Sequence, residues 1–351
     1  MTAAGKMNLL SLFAGAGGLD IGFESTGMFE TLAAVEFQPE YSATLQKNMT
    51  KGFLPTAEII QEDIRKLDPK KTARRYFPKG RIDGIIGGPP CEAFSVRGKK
   101  GGLSDPRGLL VFDFIRWAVE LRPAFVLMEN VPPLAKFDDG KILDDLHKEL
   151  DGAGYSTCSA VLNAAGYGAA TKRQRLILLA FLGTQVKMPE PTHTEGTVLP
   201  GLGLLPALTV RTALRGLPKP GYDETVFPTW HRLVNHTPEV VKRFSSLLLG
   251  QQDNIRKRTR LHPDRPSATI VAGNHQGTRT HIHPFEPREL TNRECARLHG
   301  FPDEFEFCGT GPAVCKQIAN SVPIPFARTM AESIFRQLSG IDEISKKSVT
   351  A

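Results

Sequence analysis

Long apolar runs are missing from this chain. The longest, Leu176 to Leu182, falls far short of the roughly 20 residues that a membrane-spanning helix needs. The N-terminal stretch has no extended apolar core and no small-residue cleavage site, so a soluble, cytoplasmic protein without a secretory signal is expected. Cysteine is scarce: five residues, an odd number with no Cys-x-x-Cys pair, argue against a disulfide scaffold and for reduced thiols. Cys295, Cys308 and Cys315 lack the close-set histidines of a zinc site, and no metal is expected. His281 and His283 read as surface histidines. Neither charge sign dominates: 44 Lys and Arg against 37 Asp and Glu leave +7, which permits a polyanionic partner without demanding one. Repeats and low-complexity tracts are absent too. What remains, 351 residues with 40% hydrophobic and 23% charged side chains, is an ordinary folded chain of about two domains.

The most telling stretch present is Gly87-Gly88-Pro89-Pro90-Cys91-Glu92-Ala93-Phe94-Ser95, directly after the apolar run Ile82 to Ile86. Two glycines and two prolines end a strand abruptly and present the next residue at a rigid turn. That residue is Cys91, whose thiol is a strong nucleophile at neutral pH. Residues 96–108 follow as a loop rich in glycine and basic groups, with Arg97, Lys99, Lys100 and Arg107 placed to meet a phosphate backbone.

Around this stretch the chain alternates strand and helix patterns. A strand from Met7 runs into Phe13-Ala14-Gly15-Ala16-Gly17-Gly18, a turn that lets a ligand approach the backbone beside a helix N-terminus. Its spacing is not that of dinucleotide-binding enzymes. Strands at Leu32 to Phe37 and Ile59 to Gln61 bring Glu36 and Asp63 to strand ends, where a doubly wound fold grips a ribose and an adenine. A helix from Leu109 to Leu121 and a strand from Ala124 to Met128 deliver Glu129-Asn130-Val131. A carboxyl group there is positioned to act as a proton donor. Lys141 to Ala153 reads as a helix, and Ser156 to Asn163 and Leu176 to Phe181 as strands. Arg173 and Arg175, on an extended segment, are expected to divide their roles, one into the pocket and one towards a polymer backbone. From Gly183 to Pro287 prolines and glycines multiply and periodicity fades, which reads as a smaller, irregular domain with a basic cluster at Arg256 to Arg260. Thr291 and Glu294 form a capping box for a helix from Leu290 to Gly300, and a last helix spans Pro325 to Leu338.

In this order the segments resemble the C5-cytosine methyltransferases over almost the whole chain. Phe13 to Gly18 is similar to that family's first motif, Pro89-Pro90-Cys91 to its nucleophile motif, and Glu129-Asn130-Val131 to its acid motif. Arg173 and Arg175 resemble its arginine pair, Arg288 to Pro302 its ninth motif, and Asn320-Ser321-Val322 its last. The resemblance implies an α/β, Rossmann-like fold that uses S-adenosylmethionine (AdoMet), with a seven-stranded sheet. Residues 1–183 would form the catalytic domain, 184–287 the target-recognition domain, and 288–351 a return segment whose final helix completes the cofactor pocket. Phe13, Gly15, Gly17 and Gly18 would cradle AdoMet, Glu36 its ribose and Asp63 its adenine. Phe37, Ile64, Pro90 and Leu110 would pack around it, with Asn320 and Ser321 near the methionine end. Cys91, Glu129, Arg173 and Arg175 would carry the chemistry. The partner implied is double-stranded DNA, bound by a monomer; a cognate restriction endonuclease acting separately and an orphan regulatory role both stay open. Contacts to DNA are expected from Ser95 and Arg97, and from Asn274, Gln276 and Arg279, whose donor patterns suit major-groove edges.

Four positions depart from the family pattern: Ala170 for proline, Thr171 and Glu92 for glutamine, and Ala319 for glycine. They bear on loop geometry and leave every reacting group in place. An RNA-methylating relative and an inactive DNA-binding paralogue are the alternatives. The first usually has Phe-Thr after the nucleophile, and the second loses the cysteine, the acid or the cofactor glycines.

Overall fold

The apolar stretches become strands of one sheet whose two faces are both buried. The computed structural model describes residues 5–78, 80–90, 110–196, 203–223, 225–271 and 281–340. Strand and helix alternate through β1 (Met7–Leu12), α1 (Gly18–Glu24), β2 (Phe29–Val35), α2 (Pro39–Met49), β3 (Glu58–Ile60) and α3 (Pro69–Tyr76). Then come β4 (Gly84–Gly87), α4 (Leu110–Leu121), β5 (Phe125–Asn130), α5 (Lys141–Gly152), β6 (Tyr155–Asn163), β7 (Thr171–Lys172) and β8 (Gln174–Leu182). The seven-stranded order is β3-β2-β1-β4-β5-β8-β6, all parallel except β8, which runs against both neighbours. This is the doubly wound α/β sheet expected from the sequence.

The period of two along a strand decides which residue meets which helix. Leu10, Leu12, Ile85, Val126, Met128 and Leu178 pack with Val111, Phe114, Ile115 and Trp117 of α4 and Ile142, Leu146 and Leu150 of α5. Their neighbours Leu9, Ile86, Phe125, Leu127 and Leu179 turn to the other face and meet α1 and α10 (Ile324–Leu338). Each fully buried side chain of this size contributes about 1.5–3 kcal/mol, so the sheet is fixed from both sides. Strand order reverses between β1 and β4, and a crevice opens at the carboxyl ends of the strands there.

The final helix packs against α1 at very short range. A Cβ on Gly22 would stand 2.3 Å from the Ala327 Cβ, and one on Gly18 would stand 2.3 Å from the Val322 carbonyl oxygen. Only glycine admits this approach.

Beyond Gly183 the elements are short: β9 (His193–Thr194), β10 (Leu205–Pro206), α6 (Val210–Leu214), α7 (Pro238–Ser245), β11 (Thr259–Arg260), β12 (Ser267–Ala268) and β13 (His281–Ile282). This segment shares its core with the C-terminal part of the chain. Val210, Leu261 and Ile270 pack among Leu290, Phe301, Phe305, Val314 and Ile318, around α8 (Asn292–Leu298) and α9 (Gly311–Asn320). Thr291 and Glu294 close the capping box on α8. The basic cluster is partly architectural. Arg258 is buried against Glu289, and the Arg260 guanidinium donates to the carbonyls of Leu247 and Pro284. His281 and His283 are buried, contrary to the surface reading. The His281 Nε2 meets the carbonyls of Ala268 and Thr269, and the His283 Nδ1 accepts from the amides of Phe285 and Glu286.

Candidate active site

The crevice at the strand reversal is a cavity of about 540 Å³. Phe13, Gly15, Gly18, Glu36, Phe37, Asp63, Ile64, Pro90, Leu110, Asn320 and Ser321 line it, and so do Glu129, Arg173 and Arg175. Gly17 does not. It caps α1 in a left-handed conformation (φ 78°), and a Cβ there would stand 2.8 Å from Leu45, so its work is to shape the turn. Phe13 itself holds φ 57°, unusual for a side chain of this size, and this turns the chain from β1 into the glycine-rich loop.

Glu36 ties that loop to β2. Its Oε2 accepts from the Gly15 amide at 2.8 Å and its Oε1 from the Gln38 amide at 2.7 Å, while burial raises its pKa. Asp63 faces Arg65 instead, with an Nη2–Oδ2 distance of 2.6 Å, and that pairing lowers its pKa. The loop and the two acids stand on consecutive strand ends because β1, β2 and β3 are adjacent and parallel.

On the other side of the reversal, β5 runs two residues past its expected end, so Glu129 and Asn130 are strand residues opposite Ile177 and Leu176 of β8. Glu129 Oε1 lies 2.5 Å from Arg175 Nε. Asn130 Nδ2 donates to the Pro89 carbonyl at 3.2 Å, bracing the Gly88-Pro89-Pro90 turn against β5. A Cβ on Gly88 would stand 2.9 Å from Glu129 Oε2, so glycine leaves the acid its room. Cys91, which follows this turn, lies outside the described residues, as do Ser95, Arg97, Asn274, Gln276 and Arg279.

The two arginines do not face opposite ways. Residues i and i+2 of an extended chain share a face, and both line the cavity. Arg173 is fully buried, and its Nη2 donates to the Asn320 carbonyl at 3.1 Å. Burial and the neighbouring Arg175 push its pKa well down. His299 Nδ1 meets Ser321 Oγ at 3.1 Å, and burial beside these arginines depresses its pKa strongly. Two of the departures sit at the entry to this pair: the Ala170 carbonyl accepts from the Ser267 amide at 2.9 Å, and Thr171 pairs with Ser267 across β7 and β12. A ladder to the middle segment thus fixes the two residues that lead into the arginines.

Residues 7–336 match the family described as C-5 cytosine-specific DNA methylase. The chain belongs to this family. As a DNA (cytosine-5-)-methyltransferase it acts on DNA, and the family's reaction and fold imply AdoMet as methyl donor. Among curated relatives, it is 31% identical over 346 residues to the type II methyltransferase M1.HphI of Haemophilus parahaemolyticus, covering 94% of this chain and 87% of the relative. It is 31% identical over 366 residues to M.FnuDI of Fusobacterium nucleatum, covering 97% and 98%. A prophage-encoded E. coli protein described as a DNA modification methyltransferase superposes with a TM-score of 0.76 at 27% identity, over 95% of this chain and 100% of that one. The S. pombe Dnmt2 methyltransferase shares the fold at 18% identity, with a TM-score of 0.65 over 95% and 99% of the two chains. No helix among the described residues of this methylase is long and apolar enough to cross a membrane.

Some lining residues of the methylase were not picked out from the sequence: Ser11, Asp20, Gln38, Tyr41 and Lys316. Asp20 carried a faint signal, an acid one turn into the helix that follows the glycine-rich loop. The others are ordinary strand, helix or turn positions, and only the folded geometry collects them.

Proposed function

We propose that this methylase binds AdoMet in the cavity at the strand reversal and methylates a cytosine flipped out of duplex DNA, through covalent addition of Cys91 to C6. The observation that carries the reading is the cluster at the ends of β4 and β5: Glu129 paired with Arg175, and Asn130 bracing the turn that leads to Cys91. The cavity residues fit the cofactor. Gly15 adds no side chain to the wall, Glu36 and Asp63 stand where ribose and adenine acids belong, and an apolar edge is available from Phe37, Ile64, Pro90 and Leu110.

Cytosine C5 is a weak nucleophile, and AdoMet supplies an electrophilic methyl group. Addition of the Cys91 thiolate to C6 places enamine character at C5. Glu129 assists by donating a hydrogen bond to N3 and holding the exocyclic amine. Arg175 fixes the O2 edge, and Arg173 holds the strand against the Asn320 carbonyl. C5 takes the methyl group as the donor's sulfonium becomes a neutral thioether; a base, for which water is one candidate, then removes the C5 proton and the Cys91 sulfur is expelled as thiolate, restoring the ring. Flipping the base costs about a few kcal/mol, offset by contacts in the closed pocket.

Residues 184–287 serve as the target-recognition domain between the catalytic segments 1–183 and 288–351. Asn274, Gln276 and Arg279 read bases, and Ser95 and Arg97 contact the strand near the flipped nucleotide. The enzyme works as a cytoplasmic monomer, and any cognate restriction endonuclease acts separately. The test is a trap. DNA carrying 5-fluorocytosine cannot lose a proton from C5, so the wild-type protein with AdoMet should form a denaturant-resistant complex that Cys91→Ala does not form. A trapped complex with Cys91→Ala, or with RNA alone, would refute the reading.

A further inference from the structure

Five carboxylates line the cavity among the described residues: Asp20, Glu36, Glu62, Asp63 and Glu129. Four have donors. Glu36 accepts from two amides, Glu62 from the Asp63 amide and Lys66, Asp63 pairs with Arg65, and Glu129 pairs with Arg175. Asp20 is different. Its side chain is fully buried and neither carboxylate oxygen makes a well-formed hydrogen bond; the Ser11 hydroxyl stands beside it, near enough to offset part of the effect of burial but without good hydrogen-bond geometry of its own. A buried polar group left without a well-formed partner is destabilising, so this corner of the wall is held at a cost the folded chain alone does not offset.

The position of Asp20 says what it awaits. It lies in the first turn of α1, where Gly18 packs on Ser321 and Val322, whereas Glu36 and Asp63 follow β2 and β3. An ionised carboxylate only accepts, and one neighbouring hydroxyl can supply it with a single donor at most, so the remaining capacity calls for N–H donors on a positive group. Resting on the reading that AdoMet occupies this cavity, we infer that Asp20, with Ser11, takes the α-ammonium group of the cofactor. The sulfonium carries charge but no N–H, and the α-carboxylate has the wrong sign. Holding the ammonium here anchors the amino-acid end, and so limits where the methyl group can lie.

Calorimetry on the full chain separates this contact from the rest of the site. The ligands are S-adenosylhomocysteine, which has no sulfonium, and its analogue with hydrogen in place of the α-amino group. The wild type should bind the deaminated analogue about 10–100-fold more weakly, the range for losing a charge-assisted hydrogen-bonded pair. Asp20→Asn should weaken S-adenosylhomocysteine by a similar factor and leave the deaminated analogue unchanged, so the two affinities converge. Equal weakening of both ligands would make Asp20 merely structural and overturn the assignment. If the asparagine variant does not fold, the wild-type pair decides alone: discrimination of about tenfold or more supports the assignment and parity overturns it. Binding of neither ligand overturns the cofactor reading itself, and this assignment with it.

Discussion

Asp20→Asn should also change how stability depends on pH in the absence of cofactor. Burial raises the Asp20 pKa from 3.8 to about 6, with the Ser11 hydroxyl offsetting part of the rise. The folded state therefore holds this proton to higher pH than the unfolded chain does. The resulting stability is fully present below pH 3.8 and is lost as pH rises through 6. A gap of about two units corresponds to about 3 kcal/mol. Asparagine cannot ionise, so the variant escapes this loss, whatever constant difference its amide introduces. Urea unfolding of both proteins at intervals from about pH 4 to pH 8 should show the variant gaining about 3 kcal/mol relative to the wild type by pH 7, with no further gain above. Parallel curves would refute the reasoning, since they would mean that Asp20 ionises as readily folded as unfolded. Glu24, one turn along α1, is raised to about 7 by burial and in part by the Asp20 charge, so Glu24→Gln should show the same sign at a higher pH.

Glu129→Gln should lower methyl transfer by about 10²–10⁴-fold while calorimetry shows cofactor affinity preserved; unchanged single-turnover rates would remove the acid from the mechanism. Gly22→Ala forces a Cβ to 2.3 Å from Ala327, and the overpacking should cost about 1–3 kcal/mol in denaturant unfolding. A neutral result there would mean that α10 can move off α1. Arg288→Met strands Glu294, which is buried and held at 2.7 and 2.9 Å by the Arg288 guanidinium. The loss should be about 3–5 kcal/mol, and the double variant Arg288→Met with Glu294→Leu should recover much of it.

The sheet was legible because its strands are short apolar runs ended by glycine, proline or a single acid. Glu36 and Glu129 stand out as carboxylates directly after aliphatic runs, and Asp63 follows one by three residues. Strand ends were less legible. β5 extends through Glu129 and Asn130 because β8 offers backbone partners that no local pattern announces. The orientation of Arg173 and Arg175 was readable and was misjudged: a period of two places them together, and the cavity takes both. His281 and His283 were read as surface groups, whereas long-range partners bury them. Asp20 stayed hidden for the opposite reason. An acid in a first helical turn is commonplace, and only the folded structure shows that this one is fully buried without a well-formed hydrogen bond.

The most direct test of the central claim is base-resolution conversion sequencing of plasmid from a methylation-free host expressing this chain, beside the same host expressing Cys91→Ala. The account predicts 5-methylcytosine at one short recurring sequence with the wild type and none with the variant. An unmethylated plasmid from cells that contain folded, AdoMet-binding protein would contradict it, and methylation that survives Cys91→Ala would contradict the covalent mechanism.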